Sequence, residues 1–269
     1  MKPHIIALDV DGTIVDYDDM MTDRVRSAIQ AAEAAGHHVV IATGRSVGGA
    51  LEVANRLGQR DGYLIASNGS VIVRITPEAE SGWEVHHVET FDPGPMLTRM
   101  REHLPMALFM VEDAELMRWA SGEFPVGELA SNEQLNLVSF DELMDKEATR
   151  IVMRELNGSN EEFLDAVERI GLHGVTYSVG WSNWLDIAPE GVSKASGVEY
   201  VCQRLGVARS ETVCAGDGMN DMEMMQWVAH GIAMGQAKDA LKERATVITG
   251  TVTEDGLATA LEEYFGLDS

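Results

Sequence analysis

Short apolar runs alternate with segments of helical period at both ends of this chain, and that alternation limits the available folds more than any other feature. "HIIALDV" at 4–10 is followed by the helical stretch "MTDRVRSAIQAAEAAG" at 21–36 and by "HHVVIATG" at 37–44, which together read as a β-α-β unit. A helix at about 47–57 and a strand "GYLIASNG" at 62–69 continue it, with Gly36, Gly58 and Gly62 in the αβ connections, where helices end. The same grammar returns late, with a helix at about 193–205, "ETVCAGD" at 211–217, a helix at 219–227, "GIAM", a helix at 237–243, "TVIT" and a helix at 256–265. This pattern predicts a parallel sheet with helices on both faces.

Residues 79–186 read differently. They hold Trp83, Trp119, Trp181 and Trp184, prolines at 93, 95, 105 and 125, and the strand-like pieces "MALFMV" and "RIVMREL". Helix-like segments fall at about 94–104 and 160–170, and the polar stretch at about 120–147 reads as a helix plus loops. The expectation is an α/β, Rossmann-like, doubly wound core, residues 1–78 and 187–269, carrying an inserted α+β domain at 79–186.

The charge balance removes whole classes of partner. Twenty Lys and Arg against forty-four Asp and Glu leave a formal net charge of −24, which repels nucleic acid and anionic membrane surfaces. No window approaches a membrane-spanning length of apolar residues, and the first twenty residues show no secretory pattern, so the expected location is the cytoplasm. Cys202 and Cys214 are too few for a disulfide framework and read as structural. The Asn-Gly-Ser triplets at Asn68 and Asn157 read as chance matches to a glycosylation pattern, and no obligate protein partner is indicated.

Chemistry concentrates at predicted strand ends. Side chains two apart on a strand point the same way, so Asp9 and Asp11 in "DVDGT" converge beyond the strand's C-terminal end, where doubly wound sheets bind ligands. A calcium loop starting at Asp9 fails, because its sixth position is Ile14 and its twelfth Met20. "ATGR" places Thr43, Gly44 and Arg45 after the second strand; singly, a helix-capping threonine explains it as well. Asn68 in "SNG" ends the third strand, where a turn role is equally open. "CAGDGMND" offers Asp217, Asn220 and Asp221, and Asp217 and Asp221 can join Asp9 around a hard cation. The stretch lacks the third glycine of a dinucleotide site, and no P-loop motif occurs. Lys194, one of five lysines, opens the helix after the insert among these acidic motifs.

Together "DVDGT", "ATGR", "GVSK" and "GDGMNDMEM" resemble the four motifs of the haloacid-dehalogenase-like (HAD) phosphohydrolases, most closely the Cof-type subfamily. "GIAMGQA", "ATVIT" and "EDGLATAL" extend the likeness through both core segments, while the insert carries no recognised motif. Only thirty-one residues separate Asp11 from Thr43, so the resemblance implies a cap of the second type, its α/β variety, in the roomier gap between Asn68 and Lys194.

The resemblance also implies a mechanism. Asp9 matches the nucleophile that forms an aspartyl-phosphate, and Asp11 the acid and base that serves the leaving alkoxide and the attacking water. Mg²⁺ would be held by the Asp9 side chain, the Asp11 backbone carbonyl and Asp217, with Asp221 in support. Thr43, Gly44 and Asn220 would hold phosphoryl oxygens, with Arg45, Asn68 and Lys194 in the same phosphate-binding set. The implied substrate is a small phosphorylated metabolite, sugar phosphates first, then pyridoxal phosphate or flavin mononucleotide. A phosphomutase is the alternative within this chemistry. A response-regulator-like phospho-acceptor is the alternative outside it, and it is disfavoured because Asn68 stands where its aspartate belongs. Arg150, Arg154, His86 and Trp181 are the insert residues whose chemistry suits a ligand, although surface, ion-pair or packing roles are open to each.

Overall fold

A computed structural model describes residues 2–125, 129, 134–180 and 183–267. From the N-terminus run β1 (Ile5–Leu8), α1 (Asp23–Ala34), β2 (His38–Ala42), α2 (Val47–Leu57), β3 (Gly62–Ala66), β4 (Val71–Ile75) and β5 (Trp83–Val88). Then come α3 (Gly94–His103), β6 (Leu108–Asp113), β7 (Arg118–Ala120), β8 (Leu135–Leu137), α4 (Phe140–Met144), β9 (Ala148–Arg154), α5 (Asn160–Ile170), β10 (Val175–Val179) and β11 (Trp184–Pro189). The chain closes with α6 (Lys194–Leu205), β12 (Thr212–Gly216), α7 (Met222–Trp227), β13 (His230–Ala233), α8 (Asp239–Lys242), β14 (Val247–Ile248) and α9 (Gly256–Phe265).

The first sheet has the order β14-β13-β12-β1-β2-β3-β4-β5. Every side chain of β1 is fully buried, which is why "IIAL" shows no alternation: a central parallel strand is covered on both faces. Helices α1, α2 and α9 pack one face through Val25, Ile29, Ala50, Val53, Leu257 and Leu261. Helices α6, α7 and α8 pack the other through Val198, Val201, Met224, Met225 and Leu241. Local signals set the helix limits: Thr22, Ser46 and Ser193 cap the starts of α1, α2 and α6, and left-handed Gly58 and Gly206 close α2 and α6. Between α1 and β2 the chain moves to one side of β1, and β12 later pairs on the other. The ends of β1 and β12 therefore frame a topological switch point.

The core is parallel as expected from β14 to β3, and the structure adds detail at its edge. There β3–β4 and β4–β5 are antiparallel. Only the turn at 67–70 joins β3 to β4, too short for a crossover. The assignment of 79–186 to the insert also shifts, because β5 belongs to the core sheet, with Trp83 and Val88 packed against its main cluster. A hairpin closed by the Thr76 N–H donating to the Gly82 carbonyl (3.0 Å) brings it there. His86, on β5, is thus a core-sheet residue, edge-on to Tyr63.

The second sheet, β10-β11-β9-β6-β7-β8, is antiparallel except for β7–β8, and α3, α4 and α5 cover one face through Met96, Leu97, Leu143, Phe163 and Val167. The helices expected at 94–104 and 160–170 are α3 and α5, each displaced by at most one residue at an end. The polar stretch at 120–147 contributes β8 and α4; part of it lies outside the described residues, as does Trp181. No helix among the described residues is long and apolar enough to cross a membrane. Cys202 and Cys214 are buried and unpaired.

Candidate active site

The structure gathers Asp9, Lys194, Asp217 and Asp221 at the switch point. Asp9 leaves β1 with its N–H donating to the Ala215 carbonyl of β12 (3.0 Å), which fixes it beside the fourth motif. Asp217 and Asp221 follow β12, and one carboxylate oxygen from each of Asp9, Asp217 and Asp221 lies within 4.8 Å of the others. Lys194, the first residue of α6, is fully buried and donates from Nζ to Asp9 Oδ1 (2.6 Å) and Asp221 Oδ1 (2.7 Å). Asp221 Oδ2 accepts the N–H groups of Asp217 (3.1 Å) and Gly218 (2.9 Å), so Asp221 shapes the loop as well as the charge. Thr13 donates to Asp9 Oδ2 (3.3 Å).

The electrostatics are unbalanced. Burial first, then repulsion from Asp221, pushes the Asp9 carboxyl well above its usual range, against the opposing pull of Lys194. Burial alone would lower the proton affinity of Lys194, but Asp221 and Asp9 outweigh it and hold the ammonium charged. Three buried carboxylates thus face one ammonium. Asp217 is also raised, by burial first, and its Oδ2 accepts from the Tyr17 hydroxyl and from Gln236 Nε2 (3.3 Å). Gly12, at φ +82°, makes this approach feasible, since a Cβ there would stand 2.3 Å from Asp217 Oδ2. A donor set of clustered carboxylates with surplus negative charge fits a hard divalent cation.

The family model for haloacid dehalogenase-like hydrolases matches residues 6–261. The chain belongs to that family. It is a HAD phosphatase of the Cof type. Among its relatives, a 5-amino-6-(5-phospho-D-ribitylamino)uracil phosphatase of Bacillus subtilis is 30% identical over 97% of this chain and 95% of its own length. A second B. subtilis phosphatase of the same name is 27% identical, covering 99% of each chain. A solved HAD subclass IIB sugar phosphatase superposes with a TM-score of 0.80 at 24% identity over 98% of this chain and 99% of its own, which shows the shared fold.

The remaining motif residues of this HAD phosphatase divide. Thr43 is buried at the end of β2, its Oγ1 accepting the Arg45 N–H (3.0 Å); it is not the helix cap, which is Ser46. Gly44 backs onto Asn68, whose Oδ1 would lie 3.1 Å from a Cβ. Asn68, at φ 54°, accepts at Oδ1 from Asn220 Nδ2 (3.0 Å), bringing the third and fourth strand-end motifs together. Asp11 does not join the carboxylate cluster through its side chain, which is about half exposed. Arg45, expected among the phosphate-binding residues, forks onto Asp11 (Nε 3.1 Å, Nη2 2.6 Å) and reaches Asp19 (2.8 Å). The bidentate geometry of guanidinium on carboxylate explains that destination.

Asn68, Ser193, Lys194, Met219 and Asn220 line a cavity of about 450 Å³ whose opposite wall comes from α5, β10 and β11, including Leu164, Thr176, Tyr177 and Asp186. Arg150, a candidate ligand cation, instead pairs with Asp186 (2.6 Å), and Arg154 donates to the Glu155 carbonyl. Sequence reasoning missed Tyr17, Gln236 and the buried contact of Ser67 with Glu112 across the two sheets. Gln236 stands inside a stretch that resembles the family pattern; Tyr17 and Glu112 carried no signal of their contacts.

Proposed function

We propose that this phosphatase hydrolyses small phosphomonoesters with Mg²⁺, through a phosphoryl group carried transiently on Asp9. The convergence of Asp9, Lys194, Asp217 and Asp221 carries this reading. Asp9, Asp217 and Asp221 would hold the cation together with the Asp11 backbone carbonyl; when bound, Mg²⁺ neutralises charge between nucleophile and phosphate. The need for it is quantitative, since two like charges about 4 Å apart at an effective dielectric near 20 repel by roughly 4 kcal/mol.

The protein's own groups do the rest. Asp9 attacks phosphorus while Lys194 holds the carboxylate by the 2.6 Å contact. Asp11, half exposed and oriented by Arg45, protonates the leaving alkoxide and then takes a proton from water as the phosphoryl group leaves Asp9. The Thr43 hydroxyl, the Gly44 N–H and Asn220 position phosphoryl oxygens, with Asn68 setting Asn220 through their 3.0 Å contact. The second sheet acts as the specificity cap. Sugar phosphates are the first substrate class, in line with a cavity of about 450 Å³ and the sugar phosphatase that shares the fold. A second class, phosphorylated chains bearing a ring, is favoured by the exposed apolar side chains of Leu164, Tyr177 and Met219 in that cavity and by the ribitylaminouracil phosphatase relatives.

A phosphometabolite panel read by free-phosphate release tests the proposal. Release in Mg²⁺, abolished by EDTA and restored by Mg²⁺, is expected. Transfer back to substrate without free phosphate would point to a mutase, and release that survives chelation would overturn the metal role.

A further inference from the structure

We infer that Tyr17, with Gln236, positions the Asp217 carboxylate for its divalent cation, an assignment that rests on the metal-dependent reading above. Three observations converge on Asp217 Oδ2. The Tyr17 hydroxyl donates to it, Gln236 Nε2 donates to it (3.3 Å), and the missing side chain of Gly12 lets it press against the first motif's loop. Gln236 is itself fixed at both ends, donating to the Gly12 carbonyl (2.6 Å) and accepting the Val252 N–H (3.0 Å). Uncharged donors therefore occupy one oxygen of Asp217, which leaves Oδ1 as the oxygen for the cation. Outer hydrogen bonds of this kind hold a ligand in one rotamer and tune its basicity.

Tyr17 is not a casual contact of a mobile loop. Asp16 Oδ1 accepts the N–H groups of Asp18 (3.0 Å) and Met20 (2.8 Å), closing the turn that carries Tyr17. Asp19 pairs with Arg45 and Arg56 (2.8 Å each), and Arg45 also holds Asp11. One short loop thus reaches both sides of the centre: the proton-transfer residue through Arg45, and the cation's carboxylate through Tyr17. The residue itself is 58% exposed, so replacing its hydroxyl removes a hydrogen bond without opening a core cavity.

The test is Mg²⁺ binding to full-length wild type and Tyr17→Phe by titration calorimetry, with Mn²⁺ binding by electron paramagnetic resonance as a second readout. Loss of the outer hydrogen bond should weaken both cations about tenfold. Turnover at limiting Mg²⁺ should fall by a similar factor and be recovered by raising Mg²⁺, while the thermal midpoint of the metal-free protein stays unchanged. Equal affinities in the two proteins would overturn the positioning role, as would an activity loss that excess Mg²⁺ does not rescue. Absence of cation binding by the wild type would instead overturn the metal-dependent reading and this inference with it.

Discussion

The two ends of the central sheet bury titratable groups to opposite effect. At the C-terminal end, Asp9, Asp217 and Asp221 are held around a fully buried Lys194. At the N-terminal end, His4, His37 and His230 lie among Tyr264 and Phe265, with His37–Phe265 and His230–Tyr264 centroids each 4.3 Å apart. There the His4 N–H donates to His37 Nδ1 (3.1 Å), a bond that needs that nitrogen unprotonated. Burial lowers His37 and His230, whereas Lys194 stays charged because carboxylates surround it. Burial by itself therefore marks no site. The signature is a surplus of one charge sign that the protein's own groups do not balance.

Removing the single balancing cation breaks the comparison most sharply. Lys194→Met leaves three buried carboxylates facing one another, and breaking such a pair costs about 3–5 kcal/mol. The expected outcome is a drop of about 10 °C in thermal midpoint and turnover at least ~10³-fold down, measured by scanning calorimetry and phosphate release. An unchanged midpoint would mean that protonation, not Lys194, relieves the cluster.

The opposite end gives the smaller effect. His37 titrates lower in the folded protein than its ordinary value of 6.5, so the unfolded chain takes up the proton first as pH falls. Its contribution to stability is complete above about 6.5 and is lost as pH drops through the folded-state value. His37→Phe should shrink the fall in thermal midpoint between about pH 7.5 and 5 by about 2 °C while leaving phosphate release intact. An undiminished acid sensitivity would show that His37 does not carry it.

The same contrast explains what the sequence made legible. Asp9, Thr43, Asn68, Lys194 and Asp217 each follow a strand or open a helix, so local pattern placed them and topology brought them together. The pairing of Arg45 with Asp11 was not legible, because it is a matter of side-chain geometry across 34 residues of chain. Tyr17 meets Asp217 across a separation of 200 residues, and Ser67 meets Glu112 across 45, without any periodic signal. β5 was misplaced because its partner was set by a hairpin turn rather than by composition.

In the proposed mechanism Asp9 itself carries the phosphoryl group. Acid-quenched enzyme, mixed for milliseconds with substrate and Mg²⁺ and analysed by peptide mass spectrometry, tests it most directly. The expected result is a phosphoryl adduct on the peptide containing Asp9, removed by hydroxylamine and missing in Asp9→Asn, whose turnover is also lost. Phosphate release at the wild-type rate by Asp9→Asn, or an adduct on any other residue, would contradict it.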